Sequence, residues 1–237
     1  MLTVGRLILT ASLLCAATTA GAQDGSGFLP GTFTGNVAIT NDYVFRGYTQ
    51  NQEQPAIQGG FDWDSGHGFY LGTWASNFNF GVPGEGSIEW DVYGGYKGTV
   101  DNFTYDIGAI GYIYPGTPGA MSYDWWEASA KVGYDMGFAA LSASLNYTPD
   151  FFGGLDEAWY YAGKLAVPVG IEGLSVDGTV GYQDLKGLPS VLDYSVGITY
   201  AMDWFTTDLR FHNTDGTAIA CQNVCDERFV VKISRAF

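Results

Sequence analysis

Apolar and polar residues alternate with a period of two along nearly the whole chain, and turn residues interrupt the alternation at regular intervals. That period belongs to strands with one apolar and one polar face, not to helices. The first run, about 33–48, sets Phe33, Val37, Ile39, Tyr43 and Phe45 against Thr34, Asn36, Thr40, Asp42 and Arg46. The second opposes Ile57, Phe61 and Trp63 to Gln58, Asp62 and Asp64. In the third, about 69–77, Tyr70 and Trp74 share one face and Phe69 and Leu71 the other, so the inward face is ambiguous. The fourth sets Ile88, Trp90 and Val92 against Glu89, Asp91 and Tyr93, and the fifth Phe103, Tyr105 and Ile107 against Thr104, Asp106 and Tyr112. The sixth opposes Trp126, Ala128 and Val132 to Glu127, Ser129 and Lys131, and the seventh opposes Leu141 and Leu145 to Ser142 and Asn146. Tyr160 and Lys164 mark the polar face of the eighth, Asp177 and Thr179 of the ninth, Asp193 and Ser195 of the tenth, and Asp208 and Arg210 of the eleventh. The last run alternates Phe229, Val231 and Ile233 with Arg228, Val230, Lys232 and Ser234, and ends on Phe237.

Twelve such runs are an even number, as bacterial single-chain membrane barrels require. Their connections alternate in length. Short turns fall at 65–68, 98–102, 135–137, 169–173 and 201–203, and long loops at 77–87, 114–124, 149–157, 184–191 and 213–227. Only the first outer loop, about 49–54, is modest. Short periplasmic turns and long outer loops are the habit of outer-membrane barrels, and a soluble β-sandwich does not produce that beat. The pattern predicts an all-β fold, a transmembrane antiparallel up-and-down β-barrel of about 12 strands over 33–237.

The two ends of the chain point to the same compartment. Residues 1–22 read as a cleaved secretory signal peptide: a basic start to Arg6, an apolar run over Leu7–Ala17, and the small-residue site Ala20-Gly21-Ala22. The apolar run is shorter than the roughly 20 residues of a spanning helix. Residues 23–32 then form a short periplasmic segment. At the other end, a two-faced strand closing on the aromatic Phe237 reads as the membrane-insertion signal offered to the barrel-assembly machinery. Aromatics near strand ends (Tyr43, Phe45, Tyr112, Tyr114, Trp125, Trp126, Trp159, Tyr160, Tyr161 and Trp204) are candidates for the two interfacial girdles. Arg235, outward by parity, would snorkel to periplasmic headgroups.

Composition changes the picture in two ways. Without Arg6 the mature chain has 9 basic against 25 acidic residues, a net charge of −16. Such acidity argues against nucleic acid, whose affinity comes from neutralised phosphates. Parity sends Asp42, Asp62, Glu89, Asp91, Asp106, Glu127, Asp177, Asp193 and Asp208 into the lumen, opposed by Arg46, Lys131, Lys164, Arg210 and Lys232. As pore-lining residues these favour cations; paired across the lumen, the same charges would pack a plug. Twelve strands lie between the filled barrel of about eight and the open channel of about 16–18. Small solutes or ions therefore fit and large ones do not, and inward Tyr93, Tyr112 and Tyr160 narrow the space further. The second change comes from Cys221 and Cys225, four apart in the last outer loop. In an oxidising compartment they favour a disulfide; a metal site would need two further ligands, and the nearest histidine is His212.

Other functions have weaker footholds. A lipid hydrolase needs a serine and an oriented histidine facing lipid, and the chain holds only His67, in a turn, and His212, near Ser195 or Ser234 if register allows. A structural or adhesion role would use an acidic outer rim of Glu85, Asp150, Asp156, Glu157, Asp215, Asp226 and Glu227, able to bridge lipopolysaccharide through divalent cations. The pairs Gly59-Gly60, Gly94-Gly95 and Gly153-Gly154 precede neither Lys-Ser/Thr nor a helix, so they are strand and turn glycines and not phosphate loops. No cofactor motif is present.

Several segments resemble a known family. They are Gly35-Asn36-Val37-Ala38, Asp42-Tyr43-Val44-Phe45-Arg46-Gly47, Pro55-Ala56-Ile57-Gln58-Gly59-Gly60-Phe61-Asp62, Gly68-Phe69-Tyr70-Leu71-Gly72-Thr73-Trp74, Glu89-Trp90-Asp91-Val92-Tyr93-Gly94-Gly95-Tyr96 and Tyr112-Ile113-Tyr114-Pro115-Gly116. As a set they are similar to the TorF-type porin family of proteobacteria, most densely over the first half of the mature chain. The resemblance implies an outer-membrane barrel that passes small solutes, with no catalytic motif to carry over. Arg235 departs from the apolar residue common at the third position from the end of such barrels.

Overall fold

The computed structural model describes residues 30–121, 123–216, 221 and 224–237. The leader reading over 1–22 lies outside the described residues. The described chain forms β1 (Thr32–Thr40), the short pair β2 (Val44–Phe45) and β3 (Tyr48–Thr49), then β4 (Ala56–Asp64), β5 (Phe69–Asn77), β6 (Ile88–Val100), β7 (Phe103–Ile113), β8 (Trp125–Asp135) and β9 (Ala140–Thr148). It continues through β10 (Ala158–Pro168), β11 (Leu174–Leu185), β12 (Val191–Ala201), β13 (Thr206–Thr214) and β14 (Arg228–Ala236).

Twelve of these strands close into one antiparallel barrel in the order β1-β14-β13-β12-β11-β10-β9-β8-β7-β6-β5-β4. Apart from the closing pair of β1 and β14, each neighbour is the next barrel strand in sequence, so the strands run up and down around the ring. The seam is β1 against β14, with Asn36 opposite Ala236 and Thr40 opposite Lys232. Phe237 extends it: its N–H donates to Gly35 O at 2.9 Å and its carbonyl accepts from Gly35 N at 2.8 Å. The Phe237 ring lies over Gly35, where a Cβ would meet it at 2.7 Å. Deleting Phe237 removes both bonds, about 1–3 kcal/mol at the usual worth of a backbone hydrogen bond, and uncovers the seam. A lower fraction of folded, heat-modifiable barrel on a gel is the expected outcome; an unchanged fraction would show that the seam does not need the terminal residue.

Phe33, Val37, Ile57, Phe61, Phe69, Leu71, Ile107, Val132, Val180, Val196 and Phe229 are all exposed on the outer surface. So continuous an apolar belt has no place in water; it faces lipid, and the polar interior faces away from it. This is the architecture of the bacterial outer membrane, and the protein resides there. Exterior rings stack near both rims. Trp159 packs on Tyr147 and Tyr161 at the outer side, and Phe69 on Tyr96, with Phe103 on Tyr134, at the periplasmic side. Arg235 is exposed on the same belt, its guanidinium 5.3 Å from the Trp204 ring centre.

The structure departs from the alternation in two places. β1 ends at Thr40, not near 48, and the connection to β4 runs over residues 41–55. Tyr43 and Phe45 consequently leave the wall, and Tyr43 is buried inside with Tyr112, Tyr114 and Trp125, so none of these four belongs to an interfacial girdle. For Tyr112 and Trp125 the reason is register: they are cross-strand partners on the interior face shared with Glu127, stacked at 4.2 Å. The third run, ambiguous in sequence, puts Tyr70 inside, where its hydroxyl donates to Asp106, and leaves Phe69 and Leu71 on the lipid side.

Candidate functional site: a hairpin bar across a tyrosine-lined lumen

Asn41 turns the chain inward. Its side chain accepts the Val231 N–H at 2.6 Å and donates to Phe229 O at 3.1 Å. In doing so it takes the place that a further β1 residue would fill beside β14, and the backbone is released from the wall. Thr40 Oγ1 then donates to Asp42 O at 2.7 Å, and Thr49 Oγ1 to Asp42 Oδ1 at 2.6 Å. Arg228 on β14 anchors the same Asp42 at 3.2 Å. Val44-Phe45 and Tyr48-Thr49 pair as a two-residue hairpin with Arg46 and Gly47 at its tip.

Both tip residues have positive φ, 50° and 85°, the requirement of the tight turn that matches strand twist. Glycine does this freely and at position 47 is also needed for space: a Cβ would lie 2.4 Å from Thr214 Cγ2. An arginine in that region costs about 1–2 kcal/mol, so its side chain must be held. It is. Arg46 Nη2 donates to both Glu127 oxygens, at 2.7 and 2.8 Å. The guanidinium sits between the Tyr160 ring, 4.1 Å from its centre, and the Phe45 ring at 4.6 Å. Burial opposes the charge of Arg46, and the Glu127 carboxylate more than restores it, so the group holds its proton more tightly than a free arginine.

Glu127 is on β8 and Tyr160 on β10, which flank β9, and β9 lies six strands from β1 in either direction around the ring. The hairpin therefore leaves one wall and is tied to the opposite one. It bars the outer half of the lumen, and Tyr43, at its base, donates to Glu89 on β6 at 2.8 Å. Burial, then the charge of Glu89, raises the Tyr43 hydroxyl well above its ordinary pKa, which keeps it a donor. A small cavity of about 10 Å³ lies between Tyr43, Phe45, Glu89, Tyr112, Tyr114 and Trp125, room for about one water molecule.

Below and around the bar, tyrosines hold most of the acids. Tyr114 donates to Glu89 at 3.0 Å, Tyr112 to Glu127 at 3.1 Å, Tyr93 to Asp62 at 2.6 Å, Tyr70 to Asp106 at 2.7 Å and Tyr160 to Asp193 at 3.0 Å. Glycines make this reach possible. A Cβ on Gly72 would sit 2.3 Å from the Tyr93 ring, one on Gly181 2.1 Å from the Tyr160 hydroxyl, and one on Gly95 2.7 Å from the Tyr70 hydroxyl. Asp91 differs: it is buried, and its Oδ1 is without a hydrogen-bond partner.

The remaining charges are matched by cations. Arg210 donates to Asp177 at 2.7 and 2.8 Å and reaches Asp208 at 3.0 Å, with Lys164 3.3 Å from Asp177. Lys131 stands opposite Asp106 in register, and Lys232 opposite Asp208. Every residue read from the sequence as inward is thus on the interior face or on the bar, Asp42 and Arg46 by way of the hairpin and not a strand. Tyr43 and Tyr114, by sequence candidates for a girdle, join Tyr70 and Asn146, which donates to Glu127 at 2.9 Å, as interior hydrogen-bond donors. The dipeptide Arg46-Gly47 between two β-forming pairs was the available sign of the hairpin.

Other candidates land elsewhere. Cys221 and Cys225 are joined by a disulfide. His67 is exposed in the β4–β5 turn. His212 faces the lumen opposite Ser195, whose hydroxyl faces Arg210 Nη1 at 3.4 Å, while Ser234 pairs with Thr206 and Ala38, away from it. No lipid-facing serine–histidine pair forms around His212. Of the rim acids, Glu85 accepts the Gly81 N–H, Glu157 the Trp159 indole, Asp215 the Leu192 N–H, and Asp156 pairs with Lys186 at 3.2 Å. They fasten loops. Among the described residues, no group of three or more His, Cys, Asp or Glu is placed to hold a metal ion.

The profile of a family described as "bacterial protein of unknown function (Gcw_chp)" matches residues 22–237. No curated protein matches in sequence. Among solved structures the chain is similar to the KdgM porin, with a TM-score of 0.59, 11% identity, and 86% of this chain and 99% of that one covered. It is also similar to the KdgM porin in complex with disordered oligogalacturonate (0.57, 10%, 87% and 99%) and to the NanC porin (0.55, 9%, 86% and 98%). At such identities the likeness is one of fold.

Proposed function

Since the chain belongs to the Gcw_chp family and folds as a closed outer-membrane barrel, we propose that it is a porin-like channel for small solutes and ions, gated by its hairpin bar and preferring cations. The observation that carries the preference is how the lumen acids are held. A tyrosine hydroxyl satisfies a carboxylate without supplying a compensating cation, as it does at Asp62 and Asp193. A lumen with uncancelled negative charge draws cations in and repels anions. The oligogalacturonate of the KdgM complex is a polyanion; this lumen suits the opposite sign. The resemblance to TorF-type porins supports the same reading. The interior rather than lipid-facing site of His212 favours a channel over a hydrolase, and the loop-fastening use of the rim acids favours it over an adhesin. Phe237 at the seam is proposed as the insertion signal read by the barrel-assembly machinery, and lipopolysaccharide as the outer-leaflet neighbour.

Single-channel recording of the refolded mature protein in a planar bilayer under a KCl gradient tests the reading. Current steps with a cation-selective reversal potential are expected, rare in the wild type and frequent in Arg46→Ala. A folded, heat-modifiable barrel that conducts in neither form would sink it.

A further inference from the structure

Arg46 occupies a site built for a flat cation. Glu127 is 2% exposed, and two donors from the wall, Tyr112 Oη at 3.1 Å and Asn146 Nδ2 at 2.9 Å, hold the same Oε1 that Arg46 contacts. These donors stay with the wall when the hairpin leaves. So does the Tyr160 ring, fixed by its bond to Asp193 and by the absence of a side chain at Gly181. What remains after the bar swings out is a positioned carboxylate beside an aromatic face. Asp91 stands in register with Tyr112 on the neighbouring strand, with its Oδ1 unpartnered. A carboxylate held so deep is unfavourable without a cation, and the ring face favours a delocalised, weakly hydrated one over a bare metal ion.

We propose that Glu127 and Tyr160 form a binding site for solutes bearing a guanidinium group, that Arg46 is its resident internal ligand, and that such solutes open the channel by displacing it. This rests on the channel reading for its consequence but not for its chemistry. Binding and conduction can therefore fail separately. The Glu127 carboxylate sets the sign of the site, and the stack on Tyr160 sets its shape. Potassium has the charge without the shape, and urea the shape without the charge.

The test is calorimetric titration of the full mature barrel, folded in detergent, with methylguanidinium, using urea and KCl as controls. Binding to Arg46→Ala at least about tenfold tighter than to wild type is expected, from removal of the internal competitor, and should be lost in Arg46→Ala/Glu127→Gln. Equal affinity in wild type and Arg46→Ala, or binding that survives the Glu127 change, would overturn the proposal. Should Arg46→Ala fold poorly, methylguanidinium present during refolding should restore its heat-modifiable band where urea does not; absence of that rescue counts against the site. In the bilayer, methylguanidinium should raise wild-type open probability. A barrel that binds methylguanidinium yet conducts in no form would keep the site and refute the channel.

Discussion

Arg46→Ala barrels are expected to stand open where the wild type is mostly closed. The substitution leaves Glu127 buried in the closed state without its cation, a defect of about 3–5 kcal/mol. At about 1.4 kcal/mol per tenfold, the ratio of barred to open forms falls by roughly two orders of magnitude or more. The open state, with Glu127 hydrated, does not suffer this loss. Glu127→Gln should open the channel for the mirror-image reason, since it strands the guanidinium. The double variant Arg46→Ala/Glu127→Gln leaves no buried charge behind, and removing both partners of a polar pair is often close to neutral. It should therefore close again in large part. Single-channel open probability across this cycle is the measurement. A double variant as open as either single one would mean that the ion pair is not the latch and that the hairpin is held by Gly47 against Thr214 and by its base.

The second large effect concerns selectivity. Asp62→Asn, Asp106→Asn and Asp193→Asn together remove three interior carboxylates, each held by a tyrosine hydroxyl. The reversal potential in a KCl gradient should move from the cation side to near zero or beyond, because Lys131, Lys164 and Lys232 remain. Tyr70→Phe with Tyr93→Phe is the informative contrast. It deletes the hydrogen bonds to Asp106 and Asp62 and keeps the charges, so selectivity should persist while thermal stability drops by about 1.5–3 kcal/mol per bond to a charged group. If the tyrosine variant loses selectivity as fully as the asparagine variant, geometry rather than charge decides which ions pass.

The barrel interior shows how acids can be concentrated without pairing every one to a base. The wall from β4 to β8 carries Asp62, Glu89, Asp91, Asp106 and Glu127, and the tyrosines that serve four of these five come from strands or from the hairpin one or more places away. Glycine at 72, 95 and 181 leaves the room for each ring to lie flat across a neighbouring strand. The cost of glycine in a strand, lost packing and added chain entropy, is offset here by hydrogen bonds that a larger residue would block.

Strand number and, for every strand but the third, the apolar face are legible in the sequence. In a barrel each residue sees lipid on one side and a polar lumen on the other, and the pleat turns successive side chains to opposite sides. Every strand thus writes its own orientation as an alternation, with no need of its partners. The inward placement of Asp62, Glu89, Asp91, Asp106, Asp177, Asp193 and Asp208 follows from that parity alone, and the third strand was ambiguous because Tyr70 and Trp74 are aromatic on the polar side. What parity could not supply was the course of residues 41–55, where alternation continues past Thr40 although the wall has ended. Tyr43 and Phe45 look like lipid-facing residues and are in fact the inner packing of a hairpin. Nothing local distinguishes an aromatic that meets lipid from one that meets Tyr112 or Trp125; both environments are apolar. The pairing of Arg46 with Glu127 joins residues 81 apart in sequence and depends on where β8 and β10 stand relative to β1. Only closure of the ring sets that. The wall can be read strand by strand, because each wall residue answers to its surroundings; the bar and its latch exist only once the ring closes, because those residues answer to one another.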